Sequence, residues 1–312
     1  MNLLARLVLV LAVLACTPSQ AQLFRAYIAS DGNDANPCTI QLPCRLLPAA
    51  LNAVANTGEI WMLDSANFNT GTVNIAKSVT ISAVPGSLGS IVVLGGHGLA
   101  ITTAALRVTL RNVSIGPVAT SPHTSNQRGI EMSADSVLTL DRCIVGNLTA
   151  SEGVRIIMGR LKVVDSVFHN NGVAFNLQGL SRSAISGTRM VGNGTGVLVN
   201  STAPFNTLTA TVTDSVISGN GIGDGVVISN TGMDSFARLA VSRTLIEGNA
   251  VGVHAVNTGI GPLAVSVSGS TITGNGRAFH QDDGVPIYTQ NNNHVADNTN
   301  ADIGTVTYLA PK

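Results

Sequence analysis

Two groups of side chains in this sequence have the types and spacing that could do chemistry. Asp141 and Asp165 lie one repeat apart, and two carboxylates held at a defined separation are the equipment of glycoside hydrolysis. Carboxylates that close share a proton, hold a cation such as calcium, or are neutralised by neighbours, here Arg142 or Lys162. The plainer reading makes both aspartates bend formers with solvated side chains. The second group is His280, Asp282 and Asp283 in AFHQDDGV, where a histidine beside two carboxylates could act as acid or base near neutral pH. Adjacency in sequence does not make them converge, and a polar loop tip needs no function. The other histidines, His97, His123, His169, His254 and His294, fall singly and show no metal-ligand spacing. No cofactor is expected, calcium at Asp141 and Asp165 being the one cation the pattern allows.

What must position these groups is a repeat. Asn147, Asn171, Asn193, Asn220, Asn249, Asn275 and Asn298 recur every 22 to 29 residues, most of them in apolar-x-Gly-Asn. Three residues before each stands an apolar side chain, in order Ile144, Phe168, Met190, Ile217, Ile246, Ile272 and Val295. Such a period, carried by β-branched residues and turn formers, means a solenoid. An alternating strand precedes each asparagine. A short second strand follows, marked by Phe175, Val197, Val253 and Phe279, each after a small residue that allows a tight turn. Parallel rungs stack equivalent positions about 4.8 Å apart, so the asparagines form a ladder of bonded amides. Six residues before the asparagines the column reads Asp141, Asp165, Gly187, Asp214, Arg243, Gly269 and Asn292. Asp141 and Asp165 are then expected on successive rungs, and Asp214 with Arg243 as a surface ion pair.

Composition narrows the partners. With 11% charged residues and a net charge of zero, no overall basic field draws the chain to nucleic acid or an anionic membrane. Residues 1–21 read as a signal peptide cut after Ala21, with Arg6, an apolar run and Ser19-Gln20-Ala21; a lipidated Cys16 is the alternative. The mature chain is expected to be secreted or periplasmic, off the membrane, monomeric and a single domain over 22–312. Its parts are a cap at 22–57, irregular rungs at 58–136 and regular asparagine rungs at 137–312. Export permits a disulfide between Cys38 and Cys44, whereas two thiolates without a nearby histidine do not complete a zinc site. Cys143 is expected to be a packed thiol. Residues 46–56 carry Ala and Leu at helical spacing, and a capping helix ended by Gly58 is expected over the first rung.

The stretch AYIASDGNDANPCTIQLPCRLLPAALNAV, followed by KSVTI and the Gly-Asn repeats, resembles secreted right-handed parallel β-helix proteins of the pectin lyase-like group. The resemblance implies an all-β, single-stranded coil with three parallel sheets per turn and the asparagines in the second turn. It also implies a cleft along the outer face of the first sheet, beside the third-turn loops. In this chain that face should carry Lys162 and Val164, Ala184 and Ser186, Thr211 and Thr213, Ala240 and Ser242, Ser266 and Ser268, and Thr289 and Asn291. It is hydroxyl-rich and almost uncharged. The loops 200–207, 229–237 and 256–262 stack beside it and bring Phe205 and Phe236, which could stack on sugar rings while Thr211, Thr213 and Ser242 bond hydroxyls. Two functions stay open. One is a non-catalytic coil that binds glycan or polysaccharide or builds surface structure; the other is a polysaccharide lyase or glycoside hydrolase.

Overall fold

The computed structural model describes residues 22–118, 124–202, 204–205, 207–221, 223–232, 235–282 and 284–309. The expected signal peptide with Cys16, His123 and Asp283 lie outside them. Every strand pairing is parallel, and each turn of the chain contributes in order to a first, a second and a third sheet. The first sheet includes Val137–Asp141, Thr207–Thr213, Phe236–Ser242, Leu263–Ser268 and Ile287–Gln290. Among the described residues the second has nine short strands, from Gly89–Val93 to His294–Ala296. The third includes Ile130–Met132, Thr195–Ser201, Val226–Asn230, Val251–Asn257 and Arg277–Gln281. Glu152–Val164 and Val173–Ser186 run unbroken from the third sheet into the first of the next turn.

Alternation in each strand sends one set of side chains inward, and stacking turns each set into a column. The first sheet contributes Ile60, Ile81, Leu110, Leu140, Val163, Ile185, Val212, Val241 and Val267. The third contributes Leu99, Ile130, Val154, Phe175, Val197, Val226, Val253 and Phe279. All are buried, and burying one such side chain contributes roughly 1.5–3 kcal/mol. Phe168 and Phe175 pack with ring centroids 4.1 Å apart inside the coil.

The asparagine ladder runs from Asn171 to Asn298. The side-chain oxygens of Asn193, Asn220, Asn249, Asn275 and Asn298 each accept the backbone N–H of the asparagine one rung before, at 2.7–3.2 Å. Their amide nitrogens donate along the column or to carbonyls of the second sheet, as Asn249 Nδ2 does to Asn275 Oδ1 at 2.9 Å. Asn147 is not in this column, contrary to the spacing. Leu148 holds the equivalent position, its N–H donating to Asn171 Oδ1, and Val145, not Ile144, pairs with Phe168 inside. The reason is a neighbouring site with its own preference. The residue before the ladder is left-handed: φ is 65° at Asn147, 53° at Asn170 and 66° at Gly192. Asparagine and glycine tolerate that backbone best, so Asn147 fills the bend and leaves the amide position to leucine.

Two more registers move by one residue. Asp141 pairs with Val164, so Arg142 and not Asp141 shares a column with Asp165. Both Arg142 (φ 53°) and Asp165 (φ 50°) occupy the left-handed turn between the first and second sheets, as do Gly187, Asp214, Arg243 and Gly269. In the rung before Asn298, Tyr288 and Gln290 face outward and Thr289 is buried. The turn that follows carries an extra residue, since Val267 and Thr271 pair with Thr289 and His294, and Asn293 Oδ1 accepts the N–H of Ser270 as the Ser270 hydroxyl accepts that of Thr244.

At the N-terminal end the helix spans Leu47–Ala53, with Leu47, Ala50 and Leu51 buried and Pro48 in its first turn. It ends well before Gly58, because Val54 begins the strand Val54–Met62 and pairs with Leu23. Sheet pairing overrides helix propensity here. Asp34 Oδ1 accepts the N–H groups of Arg45 and Leu46, both at 2.8 Å, tying the SDGNDANP segment to the helix entrance. Cys38 and Cys44 are disulfide-bonded. Cys143 is free and fully buried, and burial pushes its thiol up to about 11, which leaves it packed and unreactive.

Candidate functional site

The offset register separates the first acidic pair. Asp141 stands opposite Arg111, whose Nε reaches Asp141 Oδ2 at 2.8 Å, and Arg142 Nε lies 3.1 Å from Oδ1. Partial burial raises its pKa, yet the Arg111 hydrogen bond and the two guanidinium charges outweigh this and hold it below the usual carboxylate value. A carboxylate held by two cations is a poor general acid and a poor calcium ligand. Asp165 is exposed in the next column. Asp214 and Arg243 do pair, in a two-pronged contact of 2.7 and 2.8 Å in full solvent.

On the outer face of the first sheet, a groove of about 550 Å³ lies over the C-terminal rungs. Thr209, Thr211, Phe236, Arg238, Pro262 and Tyr288 line it. Thr211 and Phe236 are therefore in it, while Thr213 and Ser242 occupy the neighbouring outward column and Phe205, 76% exposed, does not line it. Arg238 lies over the Phe236 ring, 4.6 Å from its centroid. A second hollow of about 350 Å³ continues toward the N-terminus, lined by Asp135, Arg160, Leu180, Arg182 and Thr207.

The face is less neutral than its hydroxyl columns suggest. One outward column reads Arg107, Val137, Arg160, Arg182, Thr209, Arg238 and Ala264, all joined by strand register. Its four arginines are exposed. The signal was present in the sequence, since Arg160, Arg182 and Arg238 each stand eleven residues before a ladder asparagine. This column lies two residues before that of Lys162, Ala184 and Ala240 on the same face.

The third sheet carries two polar clusters on its outer face. In the first, Arg128 bridges Glu152 (2.5 Å) and Glu131 (3.2 Å), His97 Nε2 lies 3.5 Å from Glu131, and Asn176 donates to Glu152 at 2.7 Å. Burial lowers the pKa of His97 against the pull of Glu131. In the second, His254 and His280 stand on paired strands with rings stacked, centroids 4.5 Å apart and planes 8° apart. Asp282 meets both: Oδ2 is 3.0 Å from His254 Nε2 and Oδ1 is 3.2 Å from His280 Nε2. Asp224 Oδ2 lies 2.7 Å from His254 Nδ1. The Asp224 hydrogen bond raises the pKa of His254, burial opposes it, and Asp282 adds to the rise. The His254 hydrogen bond in turn lowers the pKa of Asp282.

Thus His280 and Asp282 of the second sequence group do converge, joined by His254 and Asp224. Those two residues are far away in sequence, and only the register of the third sheet, which aligns Val227, His254 and His280, brings them in.

The sequence model described as right handed beta helix region matches residues 97–264, and the chain belongs to that family. Among solved structures it is similar to the pectate lyase Pel9A, at 15% identity over 92% of this chain and 80% of that one, with a TM-score of 0.57. It is also similar to a rhamnogalacturonan lyase, at 13% identity over 85% and 72% of the two chains (TM-score 0.48). A GH136 lacto-N-biosidase from Eubacterium ramulus is similar at 10% identity over 91% and 67% (TM-score 0.48). No curated protein sequence matches the chain. These likenesses bear on the coil alone. No helix among the described residues is long and apolar enough to cross a membrane.

Proposed function

We propose that this is an exported β-helix protein that binds an acidic extracellular polysaccharide along the outer face of its first sheet. The observation that carries the reading is the arginine column beside the groove, with Phe236 and Tyr288 at its C-terminal end. Rungs repeat every ~4.8 Å. A sugar chain laid along the coil could therefore offer successive carboxylates or sulfates to Arg160, Arg182 and Arg238, each able to form forked hydrogen bonds. Aromatic rings and threonine hydroxyls suit the faces and edges of the sugars. The Cys38–Cys44 bond fits an oxidising compartment, and calcium at Asp141 finds no support in a carboxylate already held by Arg111 and Arg142.

The test is a panel of acidic and neutral polysaccharides, read for both binding and product release at two salt concentrations. Acidic chains should bind, more weakly in high salt, and the triple variant Arg160→Ala, Arg182→Ala, Arg238→Ala should lose at least about tenfold in affinity. Equal binding of neutral chains, or an unaffected triple variant, overturns the reading. The catalytic alternative has one observation in its favour, the Glu131, Glu152, Arg128 and His97 cluster on the third sheet. Product release abolished by Glu131→Gln with Glu152→Gln would move the function there. Abolition by Asp141→Asn with Asp165→Asn would return it to the first sheet.

A further inference from the structure

The second cluster of the third sheet contains an electrostatic conflict. Asp224 Oδ2 at 2.7 Å from His254 Nδ1 makes that nitrogen the donor, so in the neutral ring Nε2 carries a lone pair. That lone pair faces a carboxylate oxygen of Asp282 at 3.0 Å. Two acceptors at that distance repel unless something positive lies between them. The stacked partner ring brings a third donor atom to the same carboxylate, His280 Nε2 at 3.2 Å from Asp282 Oδ1. A proton on Nε2 relieves that contact, and the neutral ring of His280 can donate its own Nε2–H to Asp282. A divalent cation can instead take Nε2 of both rings and the carboxylate together.

We propose that His254, His280 and Asp282 bind one divalent transition-metal cation of the zinc type, with Asp224 as a positioning residue that fixes the ring of His254. The nitrogen and oxygen atoms that would ligate it all lie within 4.8 Å of one another. Two imidazoles and one carboxylate favour Zn²⁺, Co²⁺ or Ni²⁺ over calcium or magnesium, which select all-oxygen sets. A carboxylate on the far nitrogen of a ligating histidine is the usual outer partner of such sites: it sets the tautomer and strengthens the ligand. The flanking strands supply rigidity, since Val251–Asn257 and Arg277–Gln281 are paired, and the N–H of Asp282 donates to the carbonyl of Ala255 at 2.8 Å. All four side chains are partly exposed, so the cation can enter and water can complete its shell. This face is separate from the first-sheet groove, and the proposal stands whether or not that groove binds sugar.

Calorimetric titration of the metal-free, full chain with zinc chloride should show one Zn²⁺ per chain. His254→Gln and His280→Gln should each weaken binding at least about 100-fold, and Asp224→Asn about 10- to 100-fold. Cobalt(II) added to the unaltered protein should give the visible absorption of a nitrogen- and oxygen-ligated four- or five-coordinate ion, a readout that needs no variant to fold. Circular dichroism separates ligand loss from unfolding in the variants. Absence of stoichiometric binding by the unaltered protein overturns the proposal. So does equal Zn²⁺ affinity in a folded His254→Gln, His280→Gln double variant, which would place the metal elsewhere.

Discussion

The inner turn of the coil and its outer faces obey one stacking rule and use it to opposite ends. In the ladder turn the same residue recurs from Asn171 to Asn298, because each amide oxygen accepts from the rung before while its nitrogen donates to the next amide or to a carbonyl of the second sheet. On the third sheet the outward column instead changes from Glu131 through Arg155, Asn176, Leu198 and Val227 to His254 and His280. Burial imposes uniformity, since an odd residue would strand a hydrogen-bonding group; exposure removes that demand. Chemistry in a solenoid therefore collects on columns that break their own repeat. The arginine column of the first sheet and the two third-sheet clusters are such places.

The largest expected effect tests the inner half of this contrast. Asn220 is fully buried, accepts the N–H of Asn193 at 2.7 Å and donates to Asn249 at 2.8 Å. Asn220→Ala strands the N–H of Asn193 and opens a small void, at a cost of about 2–4 kcal/mol in denaturant unfolding. Asn147→Gly, at an exposed bend whose φ of 65° glycine adopts without strain, should cost no more than about 0.5 kcal/mol. If the two losses were equal, Asn147 would belong to the ladder and the register described above would be wrong.

That pair of asparagines also shows what the sequence could and could not say. The coil, its parallel sense and the ladder were legible because a buried column demands one residue type at one spacing. The exact register was not, because the bend before the ladder also accepts asparagine, and Leu148 disguises the first rung. A one-residue slip is harmless for naming the fold and decisive for a site. It set Asp141 beside Asp165 when the chain sets it beside Arg111. His280 and Asp282 were visible as neighbours, but His254 and Asp224 join them only across rungs, where no local spacing marks the contact.

Next in size are the outer faces. Loss of Arg160, Arg182 and Arg238 should reduce affinity for an acidic polysaccharide about tenfold or more, near 1.4 kcal/mol, with the unfolding midpoint unchanged. A stability loss comparable to that of Asn220→Ala would mean that this column is structural and the contrast false. A smaller effect belongs to Asp141, a half-buried member of an outer column. Its pKa is lowered in the fold, so its contribution is present above the unfolded value and lost as pH falls through the folded one. Asp141→Asn should therefore cost about 1 kcal/mol at neutral pH, and the difference from the unaltered protein should vanish in acid below the carboxylate range. Urea unfolding at pH 7, and then at successively lower pH until the two proteins coincide, gives both numbers.

The smallest effect is the sharpest control. Asp214 and Arg243 make the better-formed contact, two prongs of 2.7 and 2.8 Å against one of 2.8 Å from Arg111 and longer ones of 3.1 and 3.4 Å from Arg142 to Asp141. Geometry alone would rank Asp214→Asn above Asp141→Asn. Exposure reverses the order, because both partners of the Asp214 pair stand in full solvent, where water screens the attraction and holding two long side chains still offsets what remains. Asp214→Asn should leave the unfolding midpoint unchanged within error at neutral pH. If it were instead the more damaging of the two, hydrogen-bond geometry rather than burial would rank these contacts, and the distinction between inner and outer columns would lose its physical basis.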